Sequence, residues 1–143
     1  MLGEWGSFPS MSEPGISRDR VRAIDVFSDL SDEDSERVAS LARAHTFEKG
    51  DELIHHDEWP DDMLALEEGD VEVRRDDEVI ATLSAGCVVG ERGVLRRALR
   101  NADVVAITPV RVLYFHRNKV RTIRDDLPEI DERLRALADQ RTG

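Results

Sequence analysis

Glu91 and Arg100 bracket the stretch of this chain best equipped for chemistry, Gly90-Glu91-Arg92-Gly93-Val94-Leu95-Arg96-Arg97-Ala98-Leu99-Arg100-Asn101-Ala102. Four arginines fall within it, although the chain carries a net charge of -11. The sign of the charge is therefore inverted locally. A glycine-containing turn that leads into a short helix offers backbone amides to an anion. An arginine fork adds two parallel hydrogen bonds to phosphate oxygens. An ionised carboxylate only accepts hydrogen bonds, so Glu91 calls for a hydroxyl or amine donor. One acceptor for a hydroxyl beside one fork for a phosphate describes a pocket for a sugar phosphate.

The elements that position this stretch read as short strands. From Ala44 to about His116 the pattern alternates between β-like runs and turns. The runs are Ala44 to Glu48, Glu52 to His56, Met63 to Glu67, Val71 to Arg74, Val79 to Leu83, Cys87 to Val89, Val104 to Ile107 and Val110 to Phe115. Val71 and Val73 alternate with Glu72 and Arg74, the signature of a half-buried strand, and Arg75 to Glu78 reads as a polar hairpin turn. About eight short strands with frequent turns predict an antiparallel roll or barrel. Helices flank it. Val21, Ile24, Val26 and Phe27 lead to Ser31, whose spacing to Asp34 resembles a capping box, and Val38, Leu41 and Ala42 continue at helical spacing. After the strands, Asn118 to Asp125 is helical, Pro128 can start a second helix, and Ile130, Leu134 and Leu137 form one apolar stripe on it.

The arginine-rich stretch resembles the phosphate-binding cassette of cyclic nucleotide-binding domains, as found in catabolite activators and protein kinase A regulatory subunits. Gly90, Glu91, Gly93, Val94, Leu95, Arg100, Ala102 and Val104 match that pattern without a gap. The resemblance implies that Glu91 binds the ribose 2′-hydroxyl, that Arg100 binds the cyclic phosphate, and that amides near Arg92 and Gly93 assist. Gly50, Gly69 and Gly86 match glycines of the family's turns, and Asp57 stands where another is usual. Arg92, Leu99 and Asn101 also depart from the pattern. Asn101 leaves the choice between cAMP and cGMP open. The implied fold is mainly β, an antiparallel double-stranded β-helix (β-roll, jelly-roll-like) with an N-terminal helix and C-terminal helices. The implied lid over the base is the last helix, with Leu134 and Leu137 as its candidate contacts. Ligand-binding residues are thus expected at Gly90, Glu91, Arg92, Gly93, Val94, Arg100, Asn101 and Ala102.

Length and composition bound the rest. A chain of 143 residues makes one domain, read as a disordered tail over 1–17 and a single binding domain over 18–143. Trp5 and Phe8 are too isolated in the tail to make a core, and Met11 is an alternative start. A pI near 4.8 argues against nucleic acid or an anionic membrane as the main partner. The single cysteine, Cys87, excludes an internal disulfide. There is no run of transmembrane length and no secretory signal, which predicts a cytoplasmic protein. His55 and His56 are metal-ligand types, but adjacent strand residues point to opposite faces, so no metal is expected. No nucleophile elbow, Walker-type loop or paired-cysteine motif is present, so the chain reads as no enzyme and as needing no cofactor beyond its nucleotide ligand. The given sequence stops soon after its last helix, so the regulated effector is expected to be another chain or a part that this sequence lacks, with oligomeric state open. The competing reading is an interaction module on the same fold whose ribose-phosphate pocket has degenerated, for example with Arg92 folded back onto Glu91. A third is a small cupin-like metalloenzyme.

Overall fold

The computed structural model of the chain describes residues 16–54, 62–89 and 102–140. The helices come first and last. Ser17 caps the short helix α1 (Arg18–Arg22), with its side chain accepting from the Arg20 amide. A 3-10 turn follows (Asp25–Phe27), then α2 (Asp32–Leu41), where Ser31 accepts from the Asp34 amide at 3.0 Å as the capping pattern predicts. Eight strands then run from β1 to β8: Arg43–Phe47, Glu52–Ile54, Asp62–Glu68, Val71–Arg75, Glu78–Leu83, Val88–Val89, Asp103–Ala106 and Val110–His116. Two helices close the chain, α3 (Arg117–Asp126) and α4 (Pro128–Gln140).

The strands make two antiparallel four-stranded sheets, ordered β1-β8-β3-β6 and β2-β7-β4-β5. This is the antiparallel β-roll that strand count and turn spacing predict. Because side chains alternate along a strand, the first sheet feeds two separate cores. Met63, Ala65, Val88, Leu113 and Phe115 face the helices and join Val21, Ile24, Phe27, Val120, Ile123, Ile130 and Leu134. Leu64, Leu66, Val89, Val110 and Val112 face the other way, into the roll, where they meet Ile54, Val71, Val104 and Ala106 of the second sheet. Phe27 and Phe115 meet at 5.9 Å between ring centres and tie the 3-10 turn to β8.

Two features pin the register. A bulge between Leu66 and Glu68 lets β3 carry one residue more than β8 there. The extra residue is Glu67. Its side chain is only 5% exposed and accepts two hydrogen bonds from the Arg20 guanidinium of α1, at 2.8 and 2.7 Å. Two residues on, Gly69 has φ +96, and a Cβ there would lie 2.3 Å from the backbone oxygen of Pro109. Only glycine lets the β3–β4 turn pass so close to the segment entering β8. The polar hairpin between β4 and β5 turns on Asp76 and Asp77, both left-handed at φ 54 and 67, as a two-residue hairpin requires.

His45 on β1 is buried, its ring edge-on to Phe47. Burial pushes its pKa down to about 4, against an opposing pull from Asp51. Between that value and the ordinary 6.5 the unfolded chain binds a proton that the folded chain refuses. This contribution to stability is therefore complete above pH 6.5 and is lost as pH falls towards 4. Wild type is expected to be about 2 kcal/mol less stable at pH 5.0 than at pH 7.5 from this residue alone. Urea unfolding of wild type and His45→Phe at both pH values checks this: the variant's loss should be smaller by that amount, and equal losses would refute it.

Candidate functional site

The candidate cassette residues Gly90, Glu91, Arg92, Gly93, Val94, Arg100 and Asn101 lie outside the described residues, as do His55, His56 and Asp57. What the structure describes is how both ends of the cassette are held. Its N-terminal end leaves β6, the edge strand of the first sheet, where Val89 lies opposite Leu64 of β3. Its C-terminal end enters β7, an inner strand of the second sheet. There Asp103 lies opposite Arg74, and Val104 pairs with Val73 on one side and Ile54 on the other. Ala102 precedes β7 and is buried. The strands before and after the candidate cassette thus belong to different sheets, and Val89 and Val104 lie in the same apolar cluster inside the roll.

The entry to β6 is clasped from two sides. The Gly86 amide donates to the Leu66 carbonyl at 2.8 Å, and the Leu66 amide donates to the Cys87 carbonyl at 2.8 Å. From the helical side, the Asp25 amide of the 3-10 turn donates to the Gly86 carbonyl at 2.9 Å. Gly86 has φ +101, and a Cβ there would sit 2.8 Å from Oδ1 of Asp25. The turn can approach this closely because residue 86 has no side chain. At the exit, β7 is held by reciprocal bonds to the turn after β1: Gly50 donates to Ala106 at 2.7 Å and Ala106 donates to Asp51 at 2.9 Å. Such bracing fixes the residues on either side of the candidate cassette relative to the two sheets.

The two lid candidates sit in the helix-side core. Leu134 is fully buried there and Leu137 packs at its edge, beside residues such as Phe27 and Phe115. None of the residues of the roll-interior cluster comes from α4. Helix α4 is instead fastened to the N-terminal helical segment. Arg133 donates to both carboxylate oxygens of Asp29, at 2.7 and 2.8 Å, and to the Val26 carbonyl at 2.9 Å. Arg124 and Arg135 both donate to Asp131, and Arg37 pairs with Asp126. Sequence reasoning passed over the Arg133 fork and the Glu67–Arg20 pair, because each joins residues far apart in the chain and only the folded arrangement brings them together. The apolar run Met63 to Leu66 ending in Glu67 was the available hint that this carboxylate is drawn inside. No described helix is long and apolar enough to cross a membrane.

Comparison with known proteins agrees with this architecture. The family model described as cyclic nucleotide-binding domain matches residues 44–126, which takes in β1 from its second residue, β2 to β8 and α3. A protein of Rhodopseudomonas palustris that bears the name of a potassium channel protein is 29% identical over 126 residues, covering 86% of this chain and 31% of its own length. A cGMP-dependent protein kinase of Caenorhabditis elegans is 26% identical over 110 residues, 77% of this chain and 14% of the kinase. The chain thus spans less than a third of these curated relatives. Among solved structures, the regulatory subunit of a cAMP-independent protein kinase A from Trypanosoma brucei superposes with a TM-score of 0.76 at 26% identity, covering 86% of this chain and 46% of that one. The catabolite activator protein of Thermus thermophilus shares the fold, with a TM-score of 0.75 at 21% identity over 82% of this chain and 57% of that one. With the family model spanning the whole roll and the roll built strand for strand as described, this chain belongs to the cyclic nucleotide-binding domain family.

Proposed function

We propose that this chain is a regulatory domain that binds a cyclic purine nucleotide, cAMP or cGMP, in the cassette over residues 90–102, and that α4 answers to the ligand. The observation that carries the reading is the gapless match of Gly90, Glu91, Gly93, Val94, Leu95, Arg100 and Ala102, in a segment flanked by Val89 and Val104 of one apolar cluster. Glu91 would accept from the ribose 2′-hydroxyl. Arg100 would fork to the cyclic phosphate, helped by amides near Arg92 and Gly93. The long-range field of an acidic chain repels a nucleotide anion, but screening confines that repulsion to about 10 Å at ordinary ionic strength, so nearby arginines decide the outcome. The domain works without catalysis, in the cytoplasm, and passes the binding signal to an effector that is a further protein or a further part of its own chain.

A second reading has support of its own: the same roll as an interaction module with no nucleotide. The trypanosomal relative is named as belonging to a cAMP-independent kinase, and Arg92, Asp57 and Asn101 depart from the usual cassette. Calorimetric titration with cAMP and cGMP side by side, with a thermal-shift panel that includes cyclic dinucleotides, separates the two. A ligand at 100 times its Kd stabilises by about 2.7 kcal/mol, or about 8 °C for a domain of this size. Saturable heat with such a shift supports the first reading. No heat and no shift with any nucleotide would sink it in favour of the second.

A further inference from the structure

We propose that the open edge of β5 is a contact surface for a second copy of this chain, the two strands running antiparallel across a two-fold axis near Ala81. The contact uses residues outside the candidate cassette and does not depend on what that cassette binds. β5 closes the second sheet, with β4 as its one strand neighbour among the described residues. The backbone groups of Val79 to Thr82 that point away from β4 find no backbone partner among those residues. A row of open N–H and C=O groups is a template for another strand. The side chains add apolar area, because Val79 is 51% exposed and Ile80 is 46% exposed, the two exposed large hydrophobic residues among those described. No charge occurs from Val79 to Leu83, although 36% of the chain's residues are charged. The other sheet edges are better guarded: β1 begins with Arg43, β2 has three residues and β6 has two. β5 carries neither lysine nor proline, the usual guards of an edge. Its guard is a bulge at Ile80, where the register steps from Val73–Ala81 to Arg74–Val79. That bulge confines regular pairing to the residues after it and keeps the contact small.

Charge selects the partner and its direction. Asp76, Asp77 and Glu78 crowd the hairpin end of the strand. A basic segment would meet acid at that end and none along the pairing edge. A parallel copy would set two acidic turns side by side, like charge against like. An antiparallel copy sends the two turns to opposite ends, about 30 Å apart, where salt screens them from each other. It lays one neutral run against the other and covers Val79 and Ile80 in both copies. Such a contact uses the same patch twice and closes at two chains. Six residues per copy fall well short of the roughly 20–30 a side of a standard interface, so the dimer is weak, with Kd on the order of 0.1–1 mM. The net charge of -11 on each copy opposes the encounter until salt screens it.

Sedimentation equilibrium of the whole chain, taken up to about 1 mM, tests this. A monomer–dimer equilibrium is expected, with Kd falling about three- to tenfold between about 0.05 and about 0.5 M NaCl. Ile80→Lys and Ile80→Glu each place like charges near the axis and should weaken the dimer by at least about tenfold. They move net charge in opposite directions, so a shared loss belongs to the β5 edge and not to overall charge. Thr82→Lys, at an exposed position beyond the bulge, should give the same loss and serves if Ile80 proves necessary for folding, which melting temperatures show. Glu33→Lys on exposed α2 surface should leave the dimer intact or tighten it. A chain that stays monomeric at about 1 mM in high salt overturns the proposal. So does a dimer undiminished in the folded β5 variants, a dimer lost in Glu33→Lys, or growth beyond two copies.

Discussion

Arg100→Ala is expected to weaken cyclic nucleotide binding by roughly 30- to 3000-fold, about 2–5 kcal/mol, while Arg96→Ala changes it by less than about threefold. The difference comes from desolvation. An arginine that forks to a phosphate inside a binding site would work with little water between it and its partner. An arginine pointing to solvent contributes only a screened charge. Removing the first leaves the phosphate charge without its fork. Arg100→Lys keeps the charge and loses the fork, so it should fall between wild type and the alanine variant. Titrations with cAMP and cGMP measure all three, and unchanged melting temperatures show that the roll is intact. Equal affinities for wild type and Arg100→Ala would remove Arg100 from the site.

The second large effect concerns the fold. Glu67→Ala is expected to cost about 3 kcal/mol, because it strands the Arg20 guanidinium of α1 against a position that is almost closed to water. Arg20→Ala should cost a similar amount for the converse reason, leaving a nearly buried carboxylate with Arg111 3.8 Å away as its remaining described cation. The pair is worth less than either single loss suggests, since burying two charges consumes most of their mutual attraction. The double variant Arg20→Met, Glu67→Leu should therefore recover most of the loss. Urea unfolding of wild type, Arg20→Met, Glu67→Leu and this double variant closes a double-mutant cycle, the two single losses being expected close to those of the alanine variants. Additive losses in the double variant would show that the two residues act separately.

These expectations differ in how far they were legible beforehand. Strand positions followed from alternation such as Val71-Glu72-Val73-Arg74 and from glycines that permit tight turns, both local properties of the chain. The structure repeats them to within a residue or two, as at β1, which begins at Arg43 where the pattern suggests Ala44. The Ser31 cap and the helix start at Pro128 were equally local. The candidate ligand groups were visible because acid, glycine and arginine fall within one short segment. The apolar stripe of α4 was visible too, but not its destination: Leu134 and Leu137 could serve a lid or a core with the same periodicity. The fold puts them with Phe27 and Phe115. Nothing local marks Glu67, Arg20, Arg133 and Asp29 as partners, since a charge does not announce a partner 47 or 104 positions away.

By itself, then, the sequence determined the kind of domain and the succession of its strands, and it supplied the proposal that a sugar phosphate binds within residues 90–102. Those properties depend on neighbours a few residues apart. Only the tertiary structure decided which face of the first sheet each apolar residue serves, where α4 rests, and which charges are drawn inside. Those outcomes depend on sheets and helices closing on one another, and burial, which sets their energies, does not exist until they have closed.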